Sequence, residues 1–138
     1  MKKILVTGGN GRFGKVFKKI YKSKKYLYPS KKKFNIEKYE NINNYLKKMK
    51  PDLVIHCAAL SRPMDIHEKM IKKSIKTNIL GTSNVVMACS NFNIKLIYFS
   101  TNYIYPGIKG NYSEVDSLYP INNYAWSKLG GECAVQLY

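Results

Sequence analysis

Acidic side chains are scarce in this chain. Eight Asp and Glu stand against 24 Lys and Arg among 138 residues, a formal net charge of +16, and no acidic residue precedes Glu37. Arginine is scarcer still, confined to Arg12 and Arg62. A basic excess invites a nucleic-acid reading, because basic patches displace counterions from phosphates. The shortage of arginine argues the other way. Lys, Asn, Ile and Tyr are abundant together along the whole chain, and the lysines gather in runs that read as solvated faces, around Lys18 to Lys25, Lys31 to Lys33 and Lys47 to Lys50. No nucleic-acid role is expected, although such a surface draws in anionic ligands such as nucleotides.

Cysteine is sparse as well. Cys57, Cys89 and Cys133 are odd in number and widely spaced, with no C-x-x-C pair. That argues against a metal knuckle and a disulfide frame and favours a reducing, cytoplasmic setting. No metal site is expected. Long apolar runs are missing: the opening MKKILVTGGN holds only Ile4 to Val6 in succession. This is too short for a signal-peptide core or a membrane span. No internal repeat, flexible linker or domain boundary is visible. The two histidines belong to no His/Asp/Ser set with a nucleophile context. His56 lies inside an apolar strand and reads as structural or edge-lining. His67 sits in a charged helix start and is expected to face solvent.

What is present is a 45% hydrophobic chain, enough for one core and one domain over residues 1–138. Short β-branched runs at 3–7, 52–58 and 95–100 read as buried strands, with a weaker one at 25–28. Helical spacing follows each: 12–22, with Phe13, Val16, Phe17 and Ile20 on one stripe; 36–50, ending before Pro51; one or two helices within 66–91; and a last helix beginning near Asn122. Four strands separated by helices predict parallel pairing through right-handed crossovers, an α/β fold with a doubly wound parallel sheet.

The stretch VTGGNGRFG (6–14) sits after the first buried strand and opens a helix. Gly8, Gly11 and Gly14 are spaced G-x-x-G-x-x-G, one residue longer than the G-x-G-x-x-G dinucleotide fingerprint. The physics is shared: one glycine for the tight turn, one for close approach to a pyrophosphate, one for helix–strand packing, and a helix N-terminus aimed at the phosphates. An ordinary glycine-rich turn is the alternative, and the position at the first strand argues for the nucleotide. No acidic residue ends the second strand to hold a ribose 2′-hydroxyl. YPSKKKFN (28–35) and Arg12 suit a 2′-phosphate instead, so NADP(H) is favoured over NAD(H).

The third strand ends in the small pair Ala58 and Ala59, which leaves room for a ligand at the carboxyl edge of the sheet. The fourth delivers FSTNY (99–103) to the same edge, so Ser100 and Thr101 present hydroxyls in the crevice. Tyr124 and Lys128 are four apart and share one helix face. An ammonium and a bound nicotinamide near Tyr124 would move its pKa from about 10 toward working pH, and the phenol could exchange a proton while hydride moves at the adjacent carbon. In a chain this rich in Tyr and Lys the spacing also occurs by chance, as at Tyr21 and Lys25. Its place one helix after the fourth strand is what distinguishes it.

In that order the motifs resemble the extended short-chain dehydrogenase/reductase family: TGGNGRFG for its T-G-G-x-G-x-x-G, PDLVIHCAA for its P-D-x-V-[IV]-[HN]-x-A-A, and NILGT (78–82) for its N-x-x-G-T. FSTNYIYPG (99–107) and PINNYAWSKLGGE (120–132) are most similar to the dTDP-4-dehydrorhamnose reductase branch. The resemblance implies a Rossmann-like domain in which Tyr124 is proton donor, Lys128 its partner on the nicotinamide ribose, and Thr101 a contact to the substrate oxygen. It implies cofactor binding by Gly8, Asn10, Gly11, Arg12, Phe13, Gly14, Ala58, Ala59 and Leu60, with Tyr124 and Lys128. Asn35 and Ile36 occupy the place of the family's Asp-[IL] pair near adenine, with Asn replacing the carboxylate. Asn102 replaces the branch's Asp, and Asn78 matches a family asparagine of structural kind. The implied reaction is reduction of a 4-keto nucleotide-sugar, in a homodimer-forming full-length protein. A 4-epimerase or dehydratase with tightly held NAD, or a non-catalytic reductase-like regulatory subunit, are the alternatives. Family members are about twice as long, so the resemblance implies a fragment that lacks the substrate-gripping lobe; Ala134, Val135 and Leu137 of the last helix would then lack part of their cover, and poor solubility or self-association is expected.

Overall fold

The structure, a computed structural model, describes residues 2–138. Four parallel strands, β1 (Ile4–Thr7), β2 (Tyr26–Leu27), β3 (Leu53–His56) and β4 (Lys95–Tyr98), form one sheet in the order β2-β1-β3-β4. Leu5 pairs with Leu27 on one side and Val54 on the other, and Val54 with Leu96. The chain crosses outward from β1 to β2, then returns past β1 to β3. Right-handed crossovers therefore put the first helix on one face of the sheet and the later ones on the other. The doubly wound α/β expectation is borne out, with strands shorter at their ends than the apolar runs suggest.

Helix α1 (Arg12–Ile20) lies on the first face. Helix α2 (Tyr39–Met49) ends at Lys50, which takes a left-handed conformation (φ 48°) just before Pro51. The residues between β3 and β4 form α3 (Ile66–Lys69), α4 (Ile71–Ser74), a π-helical turn (Ile75–Leu80) and α5 (Gly81–Asn91). After β4 comes a 3₁₀ turn (Asn102–Ile104), then α6 (Asn123–Gln136). Asn122 caps α6 by accepting the Ala125 amide at 2.8 Å. Helices α2, α5 and α6 pack side by side on the second face. The core sits there, built from Leu5, Val54, Ile42, Leu46, Val85, Ala88 and Cys89 with Phe34 and Ile36 from the loop after β2.

The α1 stripe does not behave as its spacing predicts. Val16 is 59% exposed, Ile20 67% and Phe13 43%, and only Gly14 of this helix is buried. Beside it, Ile97 and Phe99 of the β4 segment are about half exposed. Phe13 reaches Phe99 (ring centroids 4.7 Å), which joins the two into one apolar surface.

Candidate active site

The fold brings the exits of β1 and β3 together where the strand order reverses, so their loops diverge and leave a crevice. A cavity of about 600 Å³ fills it. Its wall includes Gly8, Asn10, Gly11, Arg12, Phe13 and Gly14 from the first loop, Asn35 and Ile36 from the second, and Ala58, Ala59 and Leu60 from the third. These are all the residues the sequence suggested for the cofactor apart from Tyr124 and Lys128. Gly8 has φ +71°, and a Cβ there would sit 2.8 Å from the Ala58 nitrogen; one at Gly14 would sit 2.3 Å from the Gly8 carbonyl oxygen. Both glycines thus let β1, α1 and β3 close on one another. No side chain caps α1 at Gly11, which leaves first-turn amides of a cavity-lining segment for an anion. A dinucleotide fits this donor set and this volume.

A buried polar chain ties that loop to α6. The Thr7 Oγ1 accepts the amides of Cys57 (3.1 Å) and Ala58 (3.0 Å), so its proton goes to His56 Nδ1 at 2.7 Å. His56 is then the Nε2–H tautomer and donates to Thr82 Oγ1 at 3.2 Å. The His56 ring also packs on Tyr98 (centroids 5.7 Å apart), whose hydroxyl donates to the Lys128 carbonyl at 3.1 Å. Burial, and then the Lys128 charge, lower the His56 pKa to about 3, so the ring is neutral. The structural reading of His56 holds. Asn78, in the π turn, makes a second tie: its Oδ1 accepts the Leu60 amide (2.7 Å), and its Nδ2 donates to the Leu60 carbonyl and to Ser127 Oγ (2.8 Å each).

Thr101, Tyr124 and Lys128 do not line the cavity, but Arg62 and Cys57 of its wall act electrostatically on Tyr124 and Lys128. Lys128 is 3% exposed; its Nζ donates to the Phe99 carbonyl at 2.7 Å and sits 4.1 Å from the Tyr98 ring centre. Burial pulls its pKa down to about 8 against the opposing pull of Cys57 and Glu132. Tyr124 is half-buried, and burial raises its pKa above 10. Thr101 and the Arg62 charge act in the lowering direction. The charge that acts on the phenol in this structure is thus Arg62's, with the Lys128 ammonium turned toward Phe99. The phenol is here desolvated more than it is charge-stabilised; the downward shift is expected with a nicotinamide bound beside it. Ser100 differs too: its hydroxyl is committed to Glu132 of α6 instead of the crevice.

His67 overturns its expectation. It is 1% exposed, with Nδ1 2.7 Å from Ser74 Oγ and its ring against Tyr124. Folding α3 onto the start of α6 buries it, a contact between segments far apart in sequence. Glu37 is the residue sequence reasoning missed. It lines the cavity, and burial would raise its pKa, but Thr77 (2.8 Å), Lys31 (3.4 Å) and Lys76 outweigh that and hold it low. Asn35 uses its Oδ1 to accept the Glu37 amide at 3.1 Å, a local turn that a side-chain carboxylate could also make. Among the described residues no cluster of His, Cys, Asp or Glu could hold a metal, and no helix is long and apolar enough to cross a membrane.

A glycine-rich β1–α1 loop, a crevice at the strand-order reversal and a Tyr–Lys pair on α6 define a Rossmann-like α/β fold of the extended short-chain dehydrogenase/reductase class. The profile of the RmlD substrate binding domain matches residues 1–138, and the chain belongs to that family. It superposes on dTDP-4-dehydrorhamnose reductase from Bacillus anthracis, solved with NADP, with a TM-score of 0.90 at 28% identity over 99% of this chain and 50% of that one. In sequence it is 28% identical to methionine adenosyltransferase 2 subunit beta of Rattus norvegicus, over 97% of this chain and 42% of the relative. It is 31% identical to dTDP-D-glucose 4,6-dehydratase of Dictyostelium discoideum, over all of this chain and 40% of that one. The chain therefore spans about half the length of the relatives it matches.

Proposed function

We propose that residues 1–138 are the cofactor-binding and proton-donating domain of an NAD(P)-dependent reductase that acts on a 4-keto nucleotide-sugar. The observation that supports this is a shared wall: Arg62 and Cys57, which line the glycine-walled cavity, act by charge on Tyr124 and Lys128. A reduced nicotinamide bound in the cavity supplies hydride to the sugar C4. Tyr124 gives the C4 oxygen its proton, and its raised pKa keeps that proton on the phenol until transfer. Thr101, which acts on the Tyr124 phenol, orients the oxygen. Arg62 balances the phenolate that forms, and the buried contacts of Thr7, His56, Thr82 and Tyr98 tie β3 to α6.

NADP(H) is the favoured cofactor. Arg12 and Lys31 line the cavity, while Glu37, the one carboxylate on its wall, is occupied by Thr77 and Lys31. The reductases of similar structure support the reaction, and the B. anthracis structure holds NADP. A second reading, of a subunit that acts on a partner enzyme, is favoured by the relatives named methionine adenosyltransferase 2 subunit beta. Tyr124→Phe in the full-length protein separates the two. Turnover of a 4-keto nucleotide-sugar with NADPH is expected to fall roughly 10²- to 10⁴-fold, with NADPH affinity unchanged by fluorescence titration. Wild-type turnover in that variant would sink the donor assignment, and no turnover in either protein would favour the partner-subunit reading.

A further inference from the structure

We propose that His67 is a positioning residue for Tyr124, and that the short helix it sits on braces the proton-donating end of α6. This rests on the reading of Tyr124 as proton donor. The motifs that tie the chain to its family skip residues 61–77, where this helix lies. Two successive residues of α3 meet two successive residues at the start of α6: His67 packs on Tyr124, ring centroids 5.1 Å apart and inclined at 57°, and Glu68 accepts a hydrogen bond from Asn123. On another side the Tyr103 ring meets Tyr124 edge-on at 6.3 Å. The phenol ring is thus held by His67 and Tyr103, while Thr101 and Arg62 act on its hydroxyl.

The histidine is itself fixed. Ser74, 3% exposed, binds Nδ1 at 2.7 Å and sets the ring plane. Burial holds the imidazole neutral against the opposing pull of Glu68. Its Nε2 is buried with no partner, alone in this among the side-chain polar atoms of the described residues. Packing alone accounts poorly for such a residue: leucine or phenylalanine would fill the space without burying an unpaired nitrogen. A neutral imidazole held in plane by Ser74 supplies a flat, polarisable wall for the phenol and keeps a second cation away from it.

The test uses protein labelled with [¹³Cζ]tyrosine, in which Tyr124 is identified as the resonance lost in Tyr124→Phe. In His67→Ala and in the milder Ser74→Ala, the Tyr124 resonance should move and its titration midpoint shift by about half a unit or more. Turnover in the full-length protein should fall about tenfold to a hundredfold, as for a misplaced catalytic group, with NADPH affinity within about twofold of wild type. His67→Phe, which keeps a ring against Tyr124 but loses the Ser74 anchor, should recover only part of that turnover. Ser74→Ala removes only the Nδ1 partner, so it decides the matter where His67→Ala fails to fold. An unmoved Tyr124 resonance and unchanged turnover in folded variants, beside an inactive Tyr124→Phe, would overturn the positioning role alone. Full turnover in Tyr124→Phe would overturn the donor reading and this one with it.

Discussion

Lys128 is a buried ammonium with one carbonyl and one ring for company. Its pKa falls from 10.5 to about 8, chiefly through burial. Between those values the unfolded chain binds the proton that the folded one has released, so stability rises as pH climbs from about 8 toward 10.5 and the cost is felt in full below 8. A shift of that size corresponds to about 3 kcal/mol. Replacing the side chain with an isosteric apolar one removes that cost but leaves the Phe99 carbonyl without its donor, so the net gain is smaller. Lys128→Met should therefore be more stable than wild type near pH 7, by about 1–2 kcal/mol, with the difference shrinking as pH passes 8. Urea midpoints measured from pH 7 to pH 10 check this. A variant less stable than wild type at pH 7, with a pH-independent difference, would show that the ammonium is paired better than this geometry allows. A residue kept at a cost to stability points to a task in the site.

At the level of elements, the π turn from Ile75 to Leu80 carries the buried Asn78. It turns Asn78 inward, where one side chain satisfies both backbone groups of Leu60 and the hydroxyl of Ser127, next to Lys128. Close packing backs this arrangement: a Cβ on Gly131 of α6 would lie 2.6 Å from the Asn78 carbonyl oxygen. Asn78→Ala would strand the part-buried Leu60 groups and is expected to lose about 1–3 kcal/mol, read as a lower urea midpoint with an unchanged slope. Asn78→Asp keeps the acceptor for the Leu60 amide but loses both donors, and should fall between the two. Much of this architecture was legible. The glycine loop, the strand ends at Ala58–Ala59 and Ser100–Thr101, and the start of α6 at Asn122 are all written in local residue types. The π turn was not, because its residues suit an α-helix equally well and only the packing of α5 and α6 selects the wider bonding. Nor was the burial of His67, which depends on a long-range contact. The α1 stripe marked the correct apolar side of that helix, yet periodicity says which side seeks a partner and not what covers it.

At the scale of the whole molecule two tendencies oppose each other. A net charge of +16, carried by lysines that are nearly all exposed, repels both within a molecule and between molecules. Only four ion pairs within 4.0 Å occur among the described residues, two of them on Glu37, so most of this charge is uncompensated. The surface of Phe13, Val16, Ile20, Ile97 and Phe99 attracts its like. Salt shortens the reach of the first, to about 10 Å at 0.1 M and about 3 Å at 1 M, and leaves the second intact. Raising KCl from about 20 mM to about 500 mM should therefore raise the melting temperature by a few degrees, since self-repulsion opposes compaction. The same addition should raise the sedimentation coefficient, as screened molecules meet through the apolar face. Phe13→Ser with Ile97→Thr separates the two effects: the thermal shift with salt should persist while the increase in sedimentation disappears. If association survives that double substitution, the contact lies elsewhere and the α1–β4 surface is not the adhesive one.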